Sequence, residues 1–258
     1  MNRTLALLYG AVCYLVFLVT FLYAIGFVAG FAVPKHIDNG IETGWAASFA
    51  INILLLGLFA IQHSLMARPA FKRWWTRFVP PVIERSTYVL FSSLALIALF
   101  AWWRPLPTMV WQVDAEPLRW LLYALFAVGW LIVLTGTFLI SHFDLFGLRQ
   151  VWLHARGRPE PDTPFVTRAY YKLVRHPLML GFLIAFWATP TMSQGHLLFA
   201  LMTTGYIVVA VKFLEERDLV AAHGETYREY QRKVPMLLPV PRQHKQASGS
   251  TLRRQDAG

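Results

Sequence analysis

The stretch from Arg175 to Pro239 decides the fold of this chain. It reads Arg175-His176-Pro177, two apolar segments, and then Glu215-Glu216, Gly224-Glu225-x-Tyr227-x-x-Tyr230 and Val234-Pro235. Polar residues therefore bracket a hairpin of membrane-like helices. Placing a charged side chain inside a bilayer is unfavourable by roughly 2.5 to 3.5 kcal/mol on insertion scales. We expect these Arg, His and Glu side chains to lie where the membrane meets the cytosol and to bind a ligand there.

The rest of the chain is apolar enough to be a polytopic membrane protein. Of its 258 residues, 56% are hydrophobic and 15% are aromatic, which excludes an ordinary soluble domain. We predict an all-α transmembrane helical bundle with five long or medium spans, one short hairpin arm and a cytoplasmic C-terminal amphipathic helix. The predicted apolar segments are 4–32, 45–66, 86–103, 118–140, 178–192 and 197–214. The hairpin is predicted to turn between Thr189-Pro190 and Gly195.

One integral-membrane domain is predicted over residues 1–241, and its half from 163 to 239 is expected to bind the cofactor. The segment 215–238 has the pattern of an amphipathic helix that Pro235 ends. From 242 to 258 the chain is polar and lacks apolar periodicity, so we expect disorder.

The distribution of Lys and Arg predicts the orientation in the membrane. Segment 67–85 carries five of these cations and segment 141–177 carries six, whereas segments 33–44 and 104–117 carry one each. Cytoplasmic loops are the ones enriched in Lys and Arg. We therefore predict a multi-pass protein of a bacterial inner membrane with both termini in the cytoplasm.

Several other functions are disfavoured by composition. The formal charge of +10 falls in short loops beside apolar spans, so it indicates membrane orientation and no nucleic-acid partner. The single cysteine, Cys13, lies in an apolar run and excludes a disulfide framework. The histidines are scattered without metal-ligand spacing, so no metal site is expected. The chain has no Gly-x-Gly-x-x-Gly motif after a strand, which leaves a Rossmann-type cofactor site unsupported.

The order of motifs in the C-terminal half resembles the isoprenylcysteine carboxyl methyltransferase-like membrane methyltransferases. The resemblance begins at Thr163-Pro164-Phe165-Val166-Thr167, passes through Tyr171 and Arg175-His176-Pro177, and ends at Val234-Pro235. The N-terminal half adds Gln62 to Pro69 and Glu84 to Tyr88, which are similar to the NnrU-like branch. Over its whole length the chain is similar to bacterial enzymes of this group that methylate methanethiol.

The resemblance implies that S-adenosyl-L-methionine is the methyl donor. A helix that starts at Pro177 would point free backbone N–H groups at the carboxylate of such a ligand. The family's cofactor-binding Glu falls on Glu215, and a carboxylate can accept hydrogen bonds from an ammonium group or a ribose. Tyr227 and Tyr230 either cover the adenine or only pack the amphipathic helix. The predicted cofactor residues are Thr163, Pro164, Phe165, Val166, Tyr171, Arg175, His176, Pro177, Leu178, Met179, Glu215, Tyr227 and Tyr230.

A base would assist methyl transfer to a thiol, because free thiols are mostly protonated at neutral pH. Four residues near the cytoplasmic ends of the spans are candidates: His63, His142, Asp144 and Glu216. A structural hydrogen bond is an alternative role for each of them.

The acceptor implied by the resemblance is a small thiol, with methanethiol favoured and dimethyl sulfide as the product. Prenylcysteine enzymes carry a substrate-binding Arg one turn before the cofactor Glu, but Val211 holds that position here and Lys212 follows it. This departure argues against a prenylcysteine substrate. The alternatives are a lipid or prenylcysteine methyltransferase and a non-catalytic NnrU-like protein of nitrogen-oxide metabolism. The lipid bilayer is an expected partner, and the sequence leaves the oligomeric state open.

Overall fold

The computed structural model describes residues 1–159, 161 and 169–239. The predicted cofactor residues Thr163, Pro164, Phe165 and Val166 and the predicted disordered tail lie outside these described residues. Within them the regular secondary structure is almost entirely helical, as predicted. The helices are α1 (Arg3–Ala29), α2 (Trp45–Ala67), α3 (Pro69–Trp75), α4 (Pro81–Trp102), α5 (Glu116–Ile140), α6 (His142–Leu145), α7 (Leu148–Ala155), α8 (Pro177–Trp187), α9 (Gln194–Ala210) and α10 (Glu216–Lys233).

Among the described residues, five helices are long and apolar enough to cross a membrane, so the chain is a multi-pass membrane protein. They are α1, α2, α4, α5 and the continuous helical segment Gln194–Lys233, whose apolar part is α9. Large apolar side chains along α1, such as Leu8, Leu15 and Leu22, point outward and are exposed. Such an outward apolar stripe is suited to contact with lipid.

Helix α8 is too short to span a bilayer. Its 11 residues rise roughly 16 Å, about half of a hydrocarbon core. The predicted apolar arm extends to residue 192, but the helix ends at Trp187 because the chain then forms strand β2 (Thr191–Ser193). This strand pairs antiparallel with β1 (Met109–Gln112). The sequence did not predict this two-stranded ribbon, which the hairpin turn forms with the connection between α4 and α5.

The ribbon defines two ends of the bundle. Because β1 follows α4 and β2 follows α8, the ribbon end holds both of these connections. The opposite end, here called the polar end, holds the start of α8 and the start of α10. It also receives the end of α2, since Arg68 forms a 2.9 Å ion pair with Asp218 of α10. The predicted hairpin is therefore present, and its Arg, His and Glu residues lie at the end opposite its turn.

Close packing of α5 on α8 fixes the position of the polar residues that precede α8. A Cβ atom built on Gly181 would lie 2.7 Å from the carbonyl oxygen of Gly129, and one built on Gly129 would lie 2.7 Å from the backbone nitrogen of Ala185. Only glycine permits this approach of two helix backbones. Aromatic side chains fill the neighbouring core, including Trp130, Phe186 and others.

Candidate active site

The polar end is built where the chain after α10 returns to the start of α8. The backbone N–H of Arg175 donates to the carbonyl of Pro235 at 2.9 Å, and that of His176 donates to Met236 at 3.1 Å. Pro177 then occupies the first turn of α8, where a missing N–H costs no hydrogen bond. These contacts join segments about 60 residues apart, so the predicted amphipathic helix α10 folds back over the predicted ligand site.

Glu216 is the centre of a buried hydrogen-bond network at the polar end. One of its carboxylate oxygens accepts from Arg175 Nε at 2.6 Å, contacts His176 Nε2 at 3.1 Å and accepts from the Tyr227 hydroxyl at 3.4 Å. The other oxygen accepts from Gln231 Nε2 at 2.8 Å. Burial alone would raise the pKa of Glu216, but the hydrogen bonds from His176 and Arg175 lower this pKa to about 2. The carboxylate is therefore ionised and a poor proton acceptor.

Arg175 is almost fully buried and uses the rest of its guanidinium group to fix the returning chain. Its Nη1 donates to the carbonyl of Gln231 at 3.1 Å and to that of Val234 at 2.5 Å. A buried cation needs this kind of compensation from a carboxylate and carbonyl oxygens. Arg175 therefore joins the end of α10 to the start of α8.

His176 contacts both acidic residues of the predicted pair. Its Nε2 meets Glu216, and its Nδ1 lies 3.5 Å from a Glu215 carboxylate oxygen. Burial alone would lower the pKa of His176, but the hydrogen bonds to Glu215 and Glu216 raise it to about 9. At neutral pH the imidazole is thus a cation that separates the two carboxylates.

A π-helical turn, Val211–Glu215, precedes α10 and allows both adjacent acids to reach one imidazole. Neighbouring side chains on a regular α-helix point about 100° apart, and an inserted residue changes that relation. Such turns occur frequently at functional sites. The sequence contains no clear signal for this turn.

Glu215 differs from Glu216 in exposure. The Glu215 side chain is 44% exposed, and its ion pair with His176 is long, at 3.5 Å. It also interacts electrostatically with His63 of α2, Tyr171 and Tyr206 of α9, so it lies where these elements converge. A half-exposed carboxylate at such a junction has the capacity to hold a cationic or hydroxyl-bearing ligand.

The other described cofactor candidates surround this junction in different ways. Burial and the Glu215 carboxylate raise the pKa of Tyr171, whose hydroxyl contacts the Gly136 carbonyl of α5 at 3.5 Å. Tyr227 is buried and donates to Glu216, and the Tyr230 hydroxyl donates to the Tyr171 carbonyl. Both tyrosines of α10 thus contact residues of the candidate site. Tyr227 is too buried to cover a ligand ring.

Apolar residues at the start of α8 pack against neighbouring elements. Leu178 lies against Gly136, and Met179 packs on a buried cluster that contains Ile207 and Val211. Val211 itself is only 1% exposed. The position of the substrate Arg in the resembling prenylcysteine enzymes is therefore an internal packing position here.

Two of the candidate bases, His142 and Asp144, lie together on α6 and are engaged in structural contacts. The His142 ring accepts or donates hydrogen bonds with Tyr14 and Thr137, each at 2.8 Å, and stacks on Phe138. Asp144 accepts from Arg149 and Ser141, each at 2.5 Å. These contacts attach α6 to α1 and α5.

The structure brings His63 toward Glu215 and places it beside hydroxyl groups that the sequence reasoning missed. Its ring nitrogens contact the Tyr88 hydroxyl at 3.1 Å and the Ser92 hydroxyl at 3.2 Å, both from α4. The signal for Ser92 and for Tyr206 was present in the sequence, because polar groups inside apolar spans are usually paired or functional. Gln231 was missed because nothing in its local sequence distinguishes it from a solvated helix residue.

Known proteins with similar sequences cover almost the whole chain. A methanethiol S-methyltransferase of Mycobacterium tuberculosis is 57% identical over 244 residues, which are 95% of this chain and 100% of that protein. Methanethiol S-methyltransferase 2 of Bradyrhizobium diazoefficiens is 56% identical over 237 residues, which are 92% of this chain and 91% of that protein. Nurim of Rattus norvegicus is 35% identical over 194 residues, which are 72% of this chain and 73% of that protein. No family model matches the chain, and no solved structure is significantly similar to it.

Proposed function

The chain belongs to the methanethiol S-methyltransferase family, and from this membership we propose that it transfers a methyl group from S-adenosylmethionine to methanethiol, forming dimethyl sulfide. The observation that carries this proposal is the high identity to enzymes of this name over nearly the entire chain. The buried Val211 also disfavours a prenylcysteine acceptor, because that position cannot bind a substrate carboxylate.

The residues of the polar end fit a ligand that carries both a carboxylate and cationic groups. The first turn of α8 leaves backbone N–H groups without helical acceptors, and the His176 cation lies beside it. The half-exposed Glu215 carboxylate can bind an ammonium group or ribose hydroxyls. When bound, S-adenosylmethionine supplies a methyl group on a positively charged sulfonium, which is a good leaving group.

Our proposal gives different roles to the two acidic residues. Glu215 binds the cofactor directly, because its carboxylate is exposed and lies among His63, Tyr171 and Tyr206. Glu216 holds Arg175 and His176 in position through its hydrogen bonds to both side chains. Alignment of donor and acceptor with exclusion of water supplies most of the catalysis in such a displacement.

The membrane bundle and the polar end serve the two substrates separately. The apolar bundle admits a small lipophilic thiol, and the polar end faces the cytoplasm, where a charged cofactor is available. The cations of segments 67–85 and 141–177 support this orientation in a bacterial inner membrane.

The test of the cofactor site is calorimetry with S-adenosylhomocysteine and detergent-solubilised protein. Glu215→Ala should weaken binding about 10-fold to 100-fold, the equivalent of one lost hydrogen bond to a charged group. His176→Ala should weaken it as well. Glu229→Ala removes an exposed carboxylate of α10 that pairs with Lys233, and it should leave the affinity unchanged. Unchanged affinity in both site variants would remove this site from consideration.

The test of the reaction is mass spectrometry of volatile products from the purified protein supplied with S-adenosylmethionine and methanethiol. We expect dimethyl sulfide in proportion to enzyme. Binding of the cofactor together with methylation of a prenylcysteine or phospholipid, and of no short thiol, would refute the acceptor and leave the family standing.

A further inference from the structure

A second polar cluster lies inside the bundle, between α2, α4 and α9. Its members are His63, Ser64, Tyr88, Ser92 and Tyr206. Besides the contacts of His63 to Tyr88 and Ser92, the Ser64 and Tyr206 hydroxyls lie 3.0 Å apart. All of these residues belong to apolar helices, where polar groups are costly and mark functional positions by default. The network that holds the start of α8 does not use them.

The cluster keeps accessible surface on the inward side of α2, and this inward-facing surface is here called the crevice. His63, Ser64 and Tyr206 each keep part of their surface accessible. The outward face of α2 is apolar and exposed at Leu58 and Ile61. At about 100° per residue, His63 lies on the opposite side of the helix from Ile61, facing α4. The accessible surface of His63 therefore opens into the bundle and away from lipid.

Aromatic rings form the walls of this crevice. The Phe59 ring stacks on His63 at 5.2 Å between centroids, the Tyr88 ring lies 5.3 Å from His63, and Phe59 lies 6.4 Å from Tyr206. Aromatic walls suit a methylthio group, since sulfur makes favourable contacts with aromatic rings.

Charged groups approach the crevice from three elements. Glu215 of the π-helical turn interacts with His63, as do Arg85 of α4 and Arg68 at the end of α2. The Arg85 guanidinium also lies over the Tyr88 ring at 5.8 Å. Tyr88 and Tyr206 are the titratable groups that α4 and α9 contribute. The Glu215 carboxylate that we assign to the cofactor is thus among the charges that act on His63.

We propose that this crevice is the thiol site and that His63 is the catalytic base, an assignment that rests on the proposed function. The Ser92 hydroxyl lies 3.2 Å from Nδ1 of His63, and the Tyr88 hydroxyl lies 3.1 Å from both ring nitrogens. With Nδ1–H donated to Ser92, Nε2 keeps a lone pair that can accept a proton. Tyr88 and Ser92 are positioning residues, because they act through the imidazole.

The S–H bond of methanethiol breaks and its proton moves to Nε2 of His63. The sulfur electron pair of the thiol forms the new bond to the methyl carbon, and the pair of the broken carbon–sulfur bond stays on the donor's sulfur. The products are neutral dimethyl sulfide, neutral S-adenosylhomocysteine and a protonated His63, which later releases its proton to solvent.

Charge is conserved in this site during the step. One positive charge is present before the reaction, on the methyl donor, and one is present afterwards, on the imidazole. Glu215 interacts with His63 and is assigned to the cofactor, so it can stabilise the charge in both positions. Arg68 and Arg85 repel an imidazolium but favour a thiolate, and so promote loss of the thiol proton. Neither His142 nor Glu216 has these surroundings.

The decisive variant is His63→Gln, which keeps a hydrogen-bonding side chain and removes the base. Its matched control is His196→Gln, since His196 is a buried histidine at the ribbon end that contacts the Phe186 carbonyl at 2.9 Å. Affinity for S-adenosylhomocysteine is measured by calorimetry, and kcat/KM for methanethiol is measured between pH 6 and 10. A second acceptor, a thiol acidic enough to be ionised at neutral pH, is measured alongside.

For His63→Gln we expect wild-type affinity for S-adenosylhomocysteine and a loss in kcat/KM for methanethiol of about 10² to 10⁴-fold at pH 7. This loss should shrink as pH rises, because the thiolate then forms without a base. It should be small for the acidic thiol at every pH. His196→Gln should show the wild-type profile.

A uniform loss for both thiols at all pH values in His63→Gln would overturn the base assignment, and so would wild-type activity. Failure of the proposed function is a different result, because wild-type protein would then bind S-adenosylhomocysteine yet methylate no thiol.

Discussion

Glu216 stabilises the polar end because one buried carboxylate serves four donors from two segments of the chain. Arg175, His176, Tyr227 and Gln231 all converge on it. Removing one partner of a buried ion pair leaves an uncompensated charge, which is more costly than losing a surface pair. Glu225 is another glutamate of α10, but it pairs with Arg232 on the surface, where solvent screens the interaction.

We therefore expect Glu216→Gln to destabilise the protein by about 3 to 5 kcal/mol, because Arg175 stays buried without its carboxylate. Thermal unfolding in detergent measures this change. Glu225→Gln is the matched control and should leave the unfolding midpoint unchanged. Equal midpoints for both variants would show that the network contributes no stability.

The protonation of His176 predicts a stability that depends on pH. Its pKa is about 9 in the folded protein against an ordinary value of 6.5, because Glu215 and Glu216 hold its proton. A raised pKa contributes stability that is fully present below pH 6.5 and is lost as pH rises through 9. We expect a loss of roughly 3 kcal/mol across this window. Unfolding midpoints of wild type and His176→Gln between pH 6 and 10 check it, and the variant should lack the alkaline decline.

At the scale of elements, the position of the candidate active site depends on the short helix α8. It carries Arg175 and His176 at its start, and Gly129 and Gly181 let it approach α5 to backbone contact. The ribbon β1–β2 covers its other end, where a full span would have continued. A helix of half the usual length thus ends inside the bundle and leaves its first turn at the polar end.

Gly181→Ala should separate α8 from α5, because the added Cβ would meet a carbonyl oxygen and Val133. We expect a destabilisation of about 1 to 3 kcal/mol together with weaker binding of S-adenosylhomocysteine, since the start of α8 would move. Gly205→Ala in α9 is the control, because a Cβ there meets no atom within 4 Å. Unfolding midpoints and calorimetry distinguish the two, and full tolerance of Gly181→Ala would contradict the close-packing argument.

At the scale of the whole molecule, the two ends of the helical bundle differ in the elements that they hold. The ribbon and the loop before α2 share one end, where Ser193 donates to Asp38 and Trp45 donates to Gln194. The polar end holds the end of α2 and the starts of α8 and α10. The charged, cytosolic cofactor that we propose can use only one of these ends.

We expect a cysteine at Thr108 to react with impermeant maleimide from the periplasm, and one at Arg158 to react only after the inner membrane is opened. Both positions are exposed. Thr108 lies beside the ribbon, whereas Gly157, the neighbour of Arg158, lies beside Arg3 at the start of α1. The native Cys13 is buried and should stay unlabelled, which makes the wild type the control. The reverse labelling pattern would invert the proposed orientation and separate the polar end from its cofactor.

The sequence alone determined the helical class, the spans and the grouping of Arg175, His176 and the two acids at one end. These properties depend on the length of apolar runs and on the local cost of charge in a bilayer, which a linear sequence records directly. The family resemblance also indicated Glu215 as the cofactor-binding acid. It showed that Val211 stands where the prenylcysteine enzymes carry their substrate-binding Arg. The membrane fold and the family are confirmed, whereas the individual roles in the site stay predictions.

Only the tertiary structure decided which residues meet. It gave Glu216 four hydrogen-bond donors and left Glu215 half exposed, and it placed His63 with Tyr88 and Glu215 while attaching His142 to α1 and α5. It also formed the ribbon from segments about 80 residues apart. Hydrogen-bond partners depend on helix packing to within about 1 Å, and that packing is set by distant contacts such as Gly129 against Gly181, which no local pattern encodes.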